Sequence, residues 1–199
     1  MSHVTVVTPE HYNYGSMLIA GVLRDLGHRV EIRKGFDGVK SEIVFISLQS
    51  TIHLLRYRDI INNIGGFRVV GGPVSIDPGM VFRYLDVDLV VRGEGEDKVG
   101  AVMELAAGNC RPEDVPGAAF RSPEGIVINE SSPCPMERPL PLVPGDISRE
   151  DIRGASVYIE THRGCPGNCT FCQVPEFFGR KVRSRPLEDI IREVRELKA

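Results

Sequence analysis

Ile43-Val44-Phe45-Ile46 is an unbroken apolar run, the pattern of a strand covered on both faces, as in a parallel sheet with helices above and below. The segments around it repeat the theme. A helix through Leu54, Leu55, Ile60 and Ile61 follows, and Val4-Thr5-Val6-Val7 and Val30-Glu31-Ile32 read as the two strands before it. Between those two, Met17, Ala20, Leu23 and Leu26 share one helical face that Gly27 closes. Phe67-Arg68-Val69-Val70 starts a further unit, and Leu89-Val90-Val91 with a helix over Val99, Val102, Met103 and Leu105 runs out at Gly108. The alternation predicts an α/β fold: a doubly wound, mainly parallel five-stranded sheet over residues 1–110.

Residues 111–154 change character, being rich in Pro and Gly. Gly117 to Phe120 and Ile126-Val127-Ile128, joined by Pro123-Glu124-Gly125, predict a hairpin. The prolines from Ser131 to Pro144 exclude helix and central strand and predict an extended linker. From residue 155 a new unit begins. Ala155 to Glu160 reads as a strand, and the chain closes on an amphipathic helix with Pro186 in its first turn, Glu188 and Asp189 at its positive end, and Leu187, Ile190, Ile191, Val194 and Leu197 at helical spacing.

Composition narrows the function classes. At 199 residues, 42% hydrophobic and 26% charged, the chain is long enough for one or two domains with cores of their own. A net charge of −3 gives no broad positive field, so nucleic acid is not an expected partner. No apolar run reaches the roughly 18 residues that span a bilayer, and Met1-Ser2-His3 lacks the charged and apolar regions of a signal peptide. No membrane association is expected, and the predicted location is cytoplasmic. In that compartment clustered cysteines are more often metal ligands than disulfide partners. Cys110 and Cys134 stand apart and read as free thiols. Arg180, Lys181, Arg183 and Arg185 read as a solvated basic face.

The other three cysteines form the loop Cys165-Pro166-Gly167-Asn168-Cys169-Thr170-Phe171-Cys172. Thiolates spaced four and three positions apart on a short loop can cap three irons of a cubane and leave the fourth open. Gly164 and Gly167 are expected to supply the tight curvature, and Phe171 to shield one cluster face from water. The competing reading is a zinc-stabilised tail on a non-catalytic α/β binding module, with His162 or Cys134 as fourth ligand, although a second Cys-x2-Cys pair is absent from the sequence.

This loop, following a strand, resembles that of the radical S-adenosylmethionine (SAM) superfamily. The resemblance implies that Cys165, Cys169 and Cys172 ligate a 4Fe-4S cluster, that Phe171 takes the family's aromatic position, and that SAM chelates the open iron and is cleaved reductively to a 5′-deoxyadenosyl radical. It also implies a partial TIM-type barrel, of which residues 155–199 have room for only the first βα unit. The expectation is therefore a piece of a longer polypeptide, unable to turn over SAM by itself, with an incomplete barrel edge prone to self-association. One arginine of the basic group has an alternative task, pairing with the SAM carboxylate or a helix acid.

Gly71-Gly72-Pro73, Gly93-Glu94-Gly95-Glu96 and Pro116-Gly117 extend the resemblance to members that carry a cobalamin-binding-like, flavodoxin-like domain ahead of the barrel. Those with a histidine cobalt ligand read Asp-x-His-x-x-Gly after the first strand. Around His11 the corresponding positions are Pro9 and Tyr14, so any cobalamin is expected to bind without protein histidine. The methylthiotransferase branch shares the cysteine loop but places a second cysteine set in its front domain, and residues 1–109 contain none. The substrate, small molecule or macromolecule, is left open.

Overall fold

A computed structural model describes residues 2–148, 150–151 and 159–198. Most of the strand expected from Ala155 to Glu160 lies outside them. The chain runs β1 (His3–Thr8), α1 (Tyr14–Asp25), β2 (Arg29–Lys34), β3 (Ile43–Ser47), α2 (Thr51–Arg56), α3 (Arg58–Asn62), β4 (Phe67–Gly71), α4 (Pro78–Tyr84), β5 (Leu89–Val91) and α5 (Val99–Ala106). Then come the hairpin β6 (Ala118–Ser122) and β7 (Gly125–Ile128), the short pair β8 (His162–Arg163) and β9 (Arg183–Ser184) flanking α6 (Val174–Phe178), and α7 (Leu187–Lys198).

One mixed sheet holds seven strands in the order β2-β1-β3-β4-β5-β6-β7. The first five are parallel. The hairpin adds two antiparallel strands beside β5, so the sheet is wider than the five strands expected. Alternation along β3 explains its unbroken apolar text. Val44 and Ile46 face a cluster with Leu54, Ile61 and Val81 from α2, α3 and α4, while Ile43 and Phe45 face Ala20, Leu23, Val99 and Val102 from α1 and α5. Both faces are core. Ile46 is 1% exposed, and a fully buried side chain of this size contributes about 1.5–3 kcal/mol.

α1 begins where Asn13 Oδ1 accepts the Ser16 amide at 2.9 Å, an N-cap that satisfies one otherwise unpaired donor. Its expected apolar face is buried at Met17, Ala20 and Leu23, whereas Leu26 is half exposed. The helix expected after β3 is two short ones, with Leu54 and Ile61 buried and Leu55 and Ile60 exposed.

The proline-rich segment is extended, as expected, but it is packed. Cys134 and Met136 are buried, and the Leu142 amide donates to Met17 O at 2.8 Å. Leu140 crosses α1 so closely that a Cβ on Gly21 would lie 2.2 Å from its carbonyl oxygen. Farther on, the Asp151 carboxylate accepts from the Tyr12 amide (3.0 Å), the Ser148 amide and hydroxyl (2.9 and 2.7 Å) and Lys34 Nζ (3.0 Å). The segment is thus a strap, pinned at Asp97 and Lys98 just before α5, then at α1 and at β2.

Candidate functional site

Strand order reverses between β1 and β3, the place where open α/β sheets bind ligands at the carboxyl ends of their strands. A cavity of ≈ 520 Å³ lies there. Its floor is made by the cap and first turn of α1 (Asn13 to Ser16), the last residues of β3 and β4 (Ser47, Gly71) and the loops after β3 (Gln49), β4 (Gly72) and β5 (Gly93 to Glu96). Its opposite wall comes from the other end of the chain: Glu160, Arg163 and the α6 residues Val174, Phe177 and Phe178.

The glycines divide into two kinds. Gly72 has φ +88, and a Cβ there would lie 2.7 Å from Leu48 O, so it is required by the backbone itself. Gly71 has no positive φ and no atom within 4 Å of where a Cβ would sit, yet it borders the cavity. There the missing side chain leaves room for a ligand. His11 lines a different, adjoining cleft, is 61% exposed and has Asp151 at 3.8 Å.

The cysteine loop is held by its own backbone. Gly164 has φ +90, and a Cβ there would strike Lys181 O at 2.2 Å. The Cys165 amide donates to Gly179 O at 3.1 Å, and the Cys172 amide to Cys169 O at 3.1 Å. Gly167 does not have the positive φ expected of it; its amide donates to Cys165 Sγ at 3.4 Å. Arg180 braces the loop through Gly167 O (3.2 Å) and Asn168 Oδ1 (3.1 Å). Cys165 and Cys172 are half-buried, Cys169 is exposed, and Phe171 is 88% exposed.

A single tetrahedral zinc needs thiolates about 3.8 Å apart, from its 2.3 Å bonds. Among the described residues the ligand-type atoms within 4.8 Å of one another belong to Glu94, Glu96 and Cys134, not to the three loop cysteines. Cys134 donates to Asp97 Oδ1 at 2.6 Å, and its carboxylate neighbours are already committed to guanidinium groups. Burial, then the negative charge of Glu96, pushes the Cys134 thiol up to about 12.

The basic group divides: Arg180 and Lys181 are exposed, as expected of a solvated face, whereas Arg183 and Arg185 turn inward to buried carboxylates, as does Arg163 before the loop. Arg163, 6% exposed, contacts Glu94 at 2.9 Å, Glu96 at 2.5 Å and Glu160 at 2.5 Å. Arg183 pairs with Glu94 and donates to Cys134 O at 2.6 Å. Arg138, on the strap, reaches Glu160 at 2.6 Å and Glu96 at 3.5 Å. Arg185 takes a helix acid, Glu193 on α7, at 2.5 Å, which is the alternative task foreseen for one arginine. Burial opposes ionisation of Glu96, yet the hydrogen bond and charge of Arg163 outweigh it and hold that carboxyl below its usual range. Burial likewise works against the Arg163 charge, and Glu96 and Glu160 overcome it, so the guanidinium is held more firmly protonated than usual.

Gly93 and Gly95 stand out in the sequence as backbone features, whereas Glu94, between them, and Glu96, just after, do not. The available signal was the pairing of Glu-x-Glu with the arginines before and after the cysteine loop.

Residues 159–199 match the family model of the Radical SAM superfamily. A candidate methylthiotransferase of Methanocaldococcus jannaschii is 42% identical over 98% of this chain and 44% of its own length. The cytidylyl-2-hydroxyethylphosphonate methyltransferase of Streptomyces wedmorensis is 26% identical over 85% of this chain and 39% of its own. The chain therefore spans less than half the length of these relatives. Among solved structures, the radical SAM methyltransferase TsrM of Kitasatospora setae, with cobalamin and a 4Fe-4S cluster bound, superposes with a TM-score of 0.79 at 19% identity, covering 99% of this chain and 46% of that one. The cobalamin-dependent radical SAM enzyme OxsB gives 0.74 at 19% identity, over 99% and 32%. At these identities the likeness is one of fold.

Proposed function

The chain belongs to the radical SAM superfamily, as a member with a cobalamin-binding-like front domain, and we propose on that premise that it forms the front part of an enzyme that cleaves SAM reductively. Cys165, Cys169 and Cys172 hold a 4Fe-4S cluster on the loop after β8. The cavity at the β1/β3 switch takes a corrinoid whose cobalt has no protein imidazole ligand. One observation carries the reading: the cavity has the front strands' loops on one side and residues flanking the cysteine loop on the other, so two cofactors bound at these places would lie against each other.

The residues fit both groups. Three thiols on a loop with one sulfur-directed amide and a bracing arginine suit a cluster with one open iron. Gly71 leaves space at the wall where a bulky ring would approach the backbone, and His11 lies outside that cavity. A reduced cluster held by Cys165, Cys169 and Cys172 would supply the one electron that reductive cleavage of SAM requires. Arg180 and Gly164 hold the loop, and Phe177 and Phe178 exclude water from the wall nearest it. The first βα unit of a partial barrel is the place proposed for residues 155–199, and Phe171, 88% exposed, is the aromatic residue that would cover the cluster.

Methyl transfer is the reaction class favoured by the names of the relatives. The methylthio alternative raised by the Methanocaldococcus relative is opposed by a front domain without cysteine through residue 109. Anaerobic reconstitution followed by iron and sulfide analysis tests the proposal. About four irons per chain are expected, lost in Cys165→Ala, Cys169→Ala and Cys172→Ala alike, with hydroxocobalamin retained by the His11→Ala variant. One zinc and no iron would overturn it in favour of a zinc-stabilised tail.

A further inference from the structure

Glu94 contacts two arginines that stand at opposite ends of one segment. Arg163 immediately precedes the cysteine loop and Arg183 follows α6, and the two are register partners in the β8–β9 pair. Everything between them, including all three loop cysteines and α6, hangs from that pair. Glu94 takes the guanidinium of both, Glu96 takes Arg163 and Arg138, and Glu160 takes Arg138 and Arg163. Three carboxylates face three guanidiniums, so the lattice is neutral in sum. Glu94 is 4% exposed, and both front-domain glutamates border the cavity.

Burying so many charges is a poor way to gain stability, since apolar side chains of similar volume would serve as well or better. The lattice is also imperfectly satisfied, with Glu96 Oε2 and Arg183 Nε buried and unpartnered. What it does supply is direction, because a guanidinium fork donates to carboxylates only in its own plane.

We propose that Glu94 and Glu96 are positioning residues that clamp both ends of the cysteine segment to the front domain, fixing the loop's place over the cavity. The role rests on the reading of loop and cavity given above. The clamp acts on the cysteine segment through Arg163 and Arg183. Its loss releases residues 162–185 as one body while the front sheet stays folded.

The test is hydrogen exchange on the full chain, read by mass spectrometry under anaerobic conditions, with iron and sulfide measured on the same samples. Glu94→Gln should raise exchange across residues 162–185 by about tenfold or more, leaving β1, β3 and β4 at wild-type protection and iron content unchanged. Glu94→Asp, which keeps the charge, should recover most of that protection. Unchanged exchange at 162–185 in Glu94→Gln, an equal rise in the front strands, or an aspartate variant indistinguishable from the glutamine one overturns the clamp. Absence of iron from the wild-type chain would instead sink the cluster reading, while the exchange pattern still judges the clamp.

Discussion

Arg185 and Glu193 are paired at 2.5 Å with each side chain 1% exposed, and the Tyr14 hydroxyl donates to the same carboxylate at 2.8 Å. The three join α7 to the first turn of α1 across almost the full length of the chain. Burial, reinforced by the bond to Glu193, also keeps the Tyr14 phenol protonated well above its ordinary range.

Breaking this pair from one side leaves a buried guanidinium without its counter-charge. Glu193→Gln should cost about 3–5 kcal/mol, and Arg185→Met combined with Glu193→Leu distinctly less. Urea unfolding of the single and double variants measures both; equal losses would show that the charges do not act as a pair.

Two helical glycines should respond to alanine with opposite sign. Gly100, on α5, has nothing within 4 Å of a new Cβ, so Gly100→Ala should gain about 0.5–1 kcal/mol from the lost unfolded-state freedom. Gly21→Ala meets the Leu140 carbonyl and should lose about 1–3 kcal/mol despite the better helix propensity. Thermal unfolding of the two variants side by side checks the contrast.

Cys134 should resist alkylation. Because its thiol is pushed up to about 12, almost none is thiolate at pH 8, and the thiolate is the reactive form. Iodoacetamide at that pH should modify exposed Cys169 in cluster-free protein and spare Cys134 until urea is added, as peptide mass mapping would reveal.

Asp151 ties stability to acid. Burial opposes its charge, but the bonds from Ser148, the Tyr12 amide and Lys34 prevail and hold the carboxyl below its ordinary 3.8. A depressed carboxyl stabilises the fold above the unfolded-state value, and that contribution fades as pH falls through the folded one. Urea-unfolding free energy should therefore drop below about pH 4 in the wild type. Asp151→Asn should start lower at neutral pH and show a shallower acid loss.

Local pattern carried the strands well. The run Ile43 to Ile46 is apolar because both faces of β3 are covered, and that same fact made it legible. Val4 to Val7, Phe67 to Val70 and Leu89 to Val91 followed for the same reason, and Pro123-Glu124-Gly125 marked the hairpin turn. The width of the sheet was not legible, since nothing in Ala118 to Ile128 says which edge the hairpin will join. Arg183 and Arg185 misled because their partners, Glu94 and Glu193, lie on other elements, and a charge's solvation depends on contacts that periodicity does not record. Gly167 misled differently: glycine permits positive φ, but its use here is an amide within reach of sulfur.

The strap has a consequence for the order of events at the ribosome. Tyr12 and Asp151 are 139 positions apart, and Tyr14 and Glu193 are 179 apart. Contacts of such span close late, after strands β1 to β5 have had time to pair. Until Leu140 to Leu142 emerge, the outer side of α1 around Met17 and Gly21 is bare, and the nascent sheet presents a sticky ridge that a chaperone would read as unfinished. Leu140 to Leu142 emerge ahead of the cysteine segment, so the ridge can be sealed before Cys165 leaves the ribosome.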